Sequence, residues 1–139
     1  MRSKLVMAEF LAVSAAFVGF WATIAPHSFY RSFPLPGRHW VSLAGPYDEH
    51  LVRDVGSLYL ALLIVTVWAV RRRQSEPLRV VGAAWFVFSL PHLVFHLGHL
   101  DGLTTFDKVS QSGSLALTLL FAGLLAMPTR ARPRPPQSE

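Results

Sequence analysis

Long apolar runs alternate with short polar ones along this chain. Crossing a bilayer core takes about 20 mostly apolar helical residues, and four runs qualify: Leu5–Ile24, Leu51–Val70, Leu78–Leu97 and Val109–Met127. The pattern predicts an all-α fold, a four-transmembrane-helix bundle forming a single domain over residues 1–127. Because Arg2 and Lys4 precede it, the first run has the outline of a cleaved leader. Glu9 inside the run and Pro26 directly after Ala25, the one cleavage-like residue, favour a retained helix. From Pro128 the apolar periodicity stops. Residues 128–139 read as a disordered, Pro- and Arg-rich cytoplasmic tail beside the lipid surface.

The connection after the first run is long for so small a protein and carries Phe29, Tyr30, Phe33, Trp40 and Tyr47 among prolines and basic residues. Amphipathic aromatics favour the headgroup zone. The segment is therefore expected to lie at the membrane interface, either as an aromatic anchor or as a lid over a pocket. Trp21, Trp68 and Trp85 read as interface or packing residues. Small-residue pairs at Ala12/Ala16, Ala15/Gly19 and Ser110/Ser114 permit close helix approach within the bundle or in a homodimer.

Charge sets the expected orientation. Arg2, Lys4, Arg71, Arg72, Arg73, Arg79, Arg130, Arg132 and Arg134, nine of the thirteen Lys and Arg, fall on one side of the predicted spans. Arg31, Arg38, Arg53 and Lys108 fall on the other, with five of the eight acidic residues. Basic residues concentrate on the cytoplasmic side of membrane proteins. Both termini are thus expected in the cytoplasm, with the chain multi-pass in a plasma (inner) membrane.

Composition agrees with lipid as the solvent: 52% of residues are hydrophobic and only 15% charged. The formal net charge of +5 raises the question of nucleic acid, but the basic residues bracket apolar runs, so no nucleic-acid partner is expected. With no cysteine in the chain, disulfides, thiolate metal sites and Cys nucleophiles are excluded.

Polar groups inside spans are costly and tend to face the bundle interior. The third span ends Pro91-His92-Leu93-Val94-Phe95-His96-Leu97-Gly98-His99, whose spacings of four and three put His92, His96 and His99 on one helical stripe. The second span opens with His50, Asp54 and Ser57 at i, i+4, i+7, with Arg53 beside them. The fourth opens with Asp107, Gln111 and Ser114 at similar spacing. All three stripes begin at the outward ends of their helices, so they are expected to converge on a His-rich polar site in the outer half of the bundle.

Imidazole is a common ligand for transition metals such as Cu, Fe or Zn, and a carboxylate such as Asp54 or Asp101 suits the orientation of a ligating ring. His92, His96, His99 and His50 are the candidate metal ligands, with Asp54, Arg53, Ser57, Asp101, Asp107, Gln111 and Ser114 as supporting polar groups. Haem held by His50 and His96 needs a wider cleft. The structural alternative is that the histidines hydrogen-bond across helices, each bond contributing on the order of 1 kcal/mol. Clustered imidazoles at the outer face also suit pH sensing. Pro91 is expected to kink the third helix, Arg53–Asp54 to be a structural ion-pair element, and Glu9 to pair with Arg71 to Arg73.

The segments Pro26-His27-Ser28-Phe29-Tyr30 and Arg53-Asp54-Val55-Gly56-Ser57-Leu58-Tyr59-Leu60-Ala61-Leu62 resemble the small DoxX-like four-helix bacterial membrane proteins. Asp48 to Gly56 with Pro91 to Gly102 also resembles uncharacterised actinobacterial membrane proteins. The DoxX-like resemblance implies a link to quinone-dependent redox enzymes, but the three histidines of the third span depart from it, and no catalytic residue carries over. Two function classes follow. One is a metal- or quinone-linked membrane oxidoreductase or its subunit. The other is a non-catalytic membrane partner or scaffold whose histidines only hold the bundle together.

Overall fold

A computed structural model describes residues 1–128; the expected tail from 129 onward lies outside the described residues. The element order is α1 (Arg2–Ile24), α2 (Pro26–Ser32), α3 (Glu49–Arg72), α4 (Ser75–Leu97) and α5 (Thr105–Ala126). α1, α3, α4 and α5 are each long and apolar enough to span a membrane. Residues such as Val13, Ile24, Ile64, Val87, Val109 and Leu120 turn outward from them. An outward apolar surface on every long helix needs lipid around it. The chain is a multi-pass membrane protein.

α3 and α5 begin earlier than hydropathy alone predicts, because polar caps start them. The Asp48 side chain accepts from the Leu51 amide at 3.0 Å, and Thr104 Oγ1 accepts from the Asp107 amide at 3.1 Å. Pro26 occupies the first turn of α2, where its fixed φ and missing N–H cost nothing. Arg73, in the left-handed conformation, closes the α3–α4 turn. α4 runs through Pro91 as one helix.

The long helices associate as two pairs, α1 with α3 and α4 with α5, and glycines set the approach. A Cβ on Gly56 would lie 3.0 Å from Ala22 Cβ and 2.5 Å from Thr23 Oγ1. One on Gly82 would lie 2.5 Å from the Ala126 amide nitrogen. Of the predicted small-residue pairs, Ala15 and Gly19 belong to the buried stripe of α1, with Ala8, Leu11 and Ala22.

The two pairs meet in a core toward the start of α1 and the end of α5, built from Leu11, Tyr59, Leu62, Leu78, Trp85 and Leu125. Its buried indole is satisfied: Trp85 Nε1 donates to Thr66 Oγ1 at 2.9 Å, and that hydroxyl donates to the Leu62 carbonyl at 2.6 Å. At the same end Lys4 Nζ donates to the carbonyls of Leu125 and Met127, and Arg79 Nε to that of Ala126 at 3.4 Å. Cations thereby meet the free carbonyls that close α5. Glu9 is exposed and forms no ion pair with Arg71, Arg72 or Arg73. Trp68 instead packs under Arg72, whose Cζ is 5.6 Å from its ring centroid.

Gly82→Val should lower stability by about 1–3 kcal/mol through overpacking. Gly113→Ala, where a Cβ meets nothing within 4 Å, should be neutral or stabilise by about 0.5–1 kcal/mol. Unfolding in mild detergent distinguishes the two; equal effects would refute the close α4–α5 contact.

Candidate functional site

Away from the terminal core, the space between the two helix pairs is a cavity of about 540 Å³. Ser14 and Phe17 of α1, Val55 and Tyr59 of α3, His92 and His96 of α4, and Gln111, Ser114 and Thr118 of α5 line it, with Trp85 also on its wall. Residues 29–48 contribute a further share of the lining, including Phe29, Tyr30, Phe33, Trp40 and Asp48. The aromatic connection therefore folds over this end of the bundle as a cap.

Aromatic stacking and hydrogen bonds shape that cap. Phe33 lies 4.7 Å from Phe29 and 6.1 Å from Trp40, centroid to centroid, and Trp21 packs edge-on to Phe29 at 5.8 Å. The Tyr30 hydroxyl donates to the Gly45 carbonyl at 2.8 Å. The fastening to the bundle is Asp107, 6% exposed. Its carboxylate accepts from Arg38 Nη1 at 3.0 Å on both oxygens, from Trp40 Nε1 at 2.9 Å and from Thr104 Oγ1 at 2.6 Å. Gln111 Nε2 reaches the Trp40 carbonyl at 3.5 Å. Asp107 also sits in the first turn of α5, where a negative charge is favoured.

The predicted polar stripes separate in the fold. On α4, His92 stacks on Phe88 at 5.2 Å and stands edge-on to His96 at 4.7 Å; both imidazoles line the cavity. Buried His96 Nδ1 has no hydrogen-bond partner. His99 leaves the group: it stacks on Phe95 at 4.0 Å, and its Nδ1 lies 2.7 Å from the Phe95 carbonyl oxygen at the exposed helix end. On α5, Gln111 and Ser114 line the cavity, whereas Asp107 is committed to the cap.

The α3 stripe faces away from the site. His50 Nδ1 and Asp54 Oδ2 pair at 3.1 Å with side chains 87% and 62% exposed, and Ser57 is exposed beyond them. Arg53 pairs with Glu49 at 2.9 Å, not with Asp54, and also donates to the Thr23 carbonyl. The physical reason is the rotation of α3. Gly56 must face α1, which turns Val52, Gly56 and Tyr59 inward; at 100° per residue, His50, Asp54 and Ser57 then lie on roughly the opposite side. Asp101 is exposed in the α4–α5 connection. The expected convergence of three polar stripes thus reduces to one between α4 and α5. Among the described residues no three His, Asp or Glu side chains are grouped so that they could hold a metal ion, so His50, His92, His96 and His99 form no single ligand set.

The residues that the polar-stripe reading left out are Arg38, Trp40, Tyr30, Tyr59 and the cap phenylalanines. For the cap residues the local signal was the density of aromatics after the first span; Tyr59, on α3, had none. A family model described as a domain of unknown function, DUF4345, matches residues 5–97, which hold α1 to α4, the cap and both cavity histidines. Gln111, Ser114 and Asp107 lie beyond that match. No curated protein is found to be similar, and no solved structure matches.

Asp107→Ala leaves Arg38 and Trp40 without their acceptor; losing hydrogen bonds to a charged group should cost about 1.5–3 kcal/mol. The measurable signs are faster proteolysis within residues 33–47 and red-shifted tryptophan emission. An unchanged digestion pattern would show that the carboxylate does not hold the cap.

Proposed function

The chain belongs to the DUF4345 family, and from the geometry of its cavity we propose that it binds a small lipophilic molecule with a polar head, of the quinone/hydroquinone class, within the bundle. The carrying observation is the capped cavity itself. Its volume falls in the range of small-molecule sites, and it combines aromatic walls with a few convergent polar groups, His92, His96, Gln111 and Ser114. The imidazoles hold the polar end and can take or return its protons. In this reading the termini are cytoplasmic in a bacterial plasma membrane, the cap lies in the outer interface, and the ligand enters from the outer leaflet. The protein then serves as a quinone-linked oxidoreductase or as its ligand-binding subunit.

A short-chain quinone should quench the tryptophan fluorescence of the detergent-solubilised protein saturably, beyond what micelle partitioning produces. Ser14→Phe, which fills the cavity from α1, should weaken this at least about tenfold, since losing roughly 1.4 kcal/mol of binding is a decade in affinity. Linear quenching in the wild type, or full affinity in a folded Ser14→Phe protein, would end the proposal.

A second reading, a non-catalytic partner or scaffold, draws on the outward stripe of His50, Asp54 and Ser57. Polar side chains on a span are favoured where another helix covers them. Because the chain has no cysteine, Ser57→Cys provides a clean probe. Oxidative cross-linking in native membranes should yield a discrete adduct if a helix lies there, and monomer alone would exclude that contact.

A further inference from the structure

The polar lining of the cavity is unequal in donors and acceptors, and the inequality points to a kind of ligand. Ser14 Oγ lies 2.9 Å from the Leu11 carbonyl, Ser114 Oγ 2.9 Å from the Gln111 carbonyl, and Thr118 Oγ1 3.0 Å from the Ser114 carbonyl. A carbonyl oxygen only accepts, so each hydroxyl proton is held by its own helix. What remains for the cavity at these three positions is lone pairs. Gln111 adds another acceptor. It lines the cavity, is 2% exposed, and its Oε1 has no partner while its amide is turned to Trp40.

The donors of the lining are largely committed elsewhere. Trp40 Nε1 donates to Asp107, Trp85 Nε1 to Thr66, and the Tyr30 hydroxyl to Gly45. Among the described residues, the side-chain groups of the lining that can still donate are the Tyr59 hydroxyl, one N–H on each neutral imidazole and the second amide N–H of Gln111, and each imidazole also offers an accepting nitrogen. The α1–α5 wall, where Ser14, Ser114 and Thr118 offer only lone pairs and Gln111 offers an oxygen and one N–H, is therefore richer in acceptors than in donors, beside the mixed α4 histidines.

We infer that the cavity selects lipophilic molecules whose polar end carries a free hydroxyl, as a phenol or hydroquinone does, over matched molecules whose polar end only accepts. This rests on the cavity being the ligand site proposed above. A hydroxyl head satisfies a lone pair on the α5 wall and can accept from His92 or His96 on the other side. A carbonyl or ether head turned to the same wall sets acceptor against acceptor, and a buried site rejects such a mismatch. In redox terms, the reduced member of a quinone couple binds more tightly than the oxidised one.

Redox-inert probes test this without ambiguity: a 4-alkylphenol and the matched 4-alkylanisole, each titrated against the detergent-solubilised full chain by tryptophan fluorescence. The phenol should bind roughly tenfold more tightly, the scale of one net hydrogen bond. Ser114→Ala/Thr118→Val should reduce the ratio of phenol to anisole affinity, because two of the accepting hydroxyls are gone. Equal affinities in the wild type would overturn the selectivity and leave the cavity standing as a ligand site. Saturable binding by neither probe would overturn both readings. A preference that survives the double substitution in a folded protein would show that the α5 hydroxyls are not its source. The wild-type ratio decides the selectivity even if the variant fails to fold.

Discussion

The carboxylate of Asp107 joins two parts of the molecule, the start of α5 and the cap, that share among the described residues one further side-chain hydrogen bond, the longer one from Gln111 to the Trp40 carbonyl. It sits at the start of α5 yet accepts from Arg38 and Trp40, 69 and 67 residues earlier in the chain. A nearly buried carboxylate without partners would be untenable. Here it has donors on both oxygens, the favourable end of a helix and a capping threonine. The cap therefore has one well-satisfied point of attachment on the α4–α5 pair, while its phenylalanines rest on α1 and α3 through Ala22 and Val52. Fastened to one pair and stacked on the other, the cap spans the gap between them and makes it a cavity.

The gap itself comes from the glycines. Gly56 and Gly82 draw each helix so close to one neighbour that backbone and Cβ atoms fill the space a side chain would take. Between the pairs, large residues such as Tyr59 against Trp85 and Phe88 make the contact, and with the Trp85–Thr66 and Lys4–Leu125 hydrogen bonds they hold the pairs together toward the terminal end. Farther along, the lining carries His92, His96 and short hydroxyl residues, which do not fill the volume. Phe88 links the two regions, since it packs on Tyr59 from one side and on His92 from the other.

Hydropathy was enough to read the four spans, because lipid demands an unbroken apolar length. The charge pattern and the aromatic density after the first span marked the cap segment, and the i, i+4 spacing of His92 and His96 marked the histidine pair. The α3 stripe misled for a specific reason. Periodicity shows that His50, Asp54 and Ser57 share a face but not where that face points. In a soluble helix the apolar side identifies the core; on a span both lipid and core are apolar, and the rotation of α3 is set by the fit of Gly56 against Ala22 and Thr23. His99 lies two residues past the end of α4, where the stripe no longer follows the helix. Asp107 read as part of a site stripe because nothing local announces Arg38 or Trp40 as its partners.

The apolar walls of the cavity have a consequence for exchange with the surrounding bilayer. Acyl chains are as apolar as any tail a ligand brings, and they are present in vast excess. Shape and greasiness alone therefore give a guest no advantage over the lipid it displaces. For the proposed guest, discrimination then has to come from the few polar atoms of the lining, where a head group competes against bulk hydrocarbon.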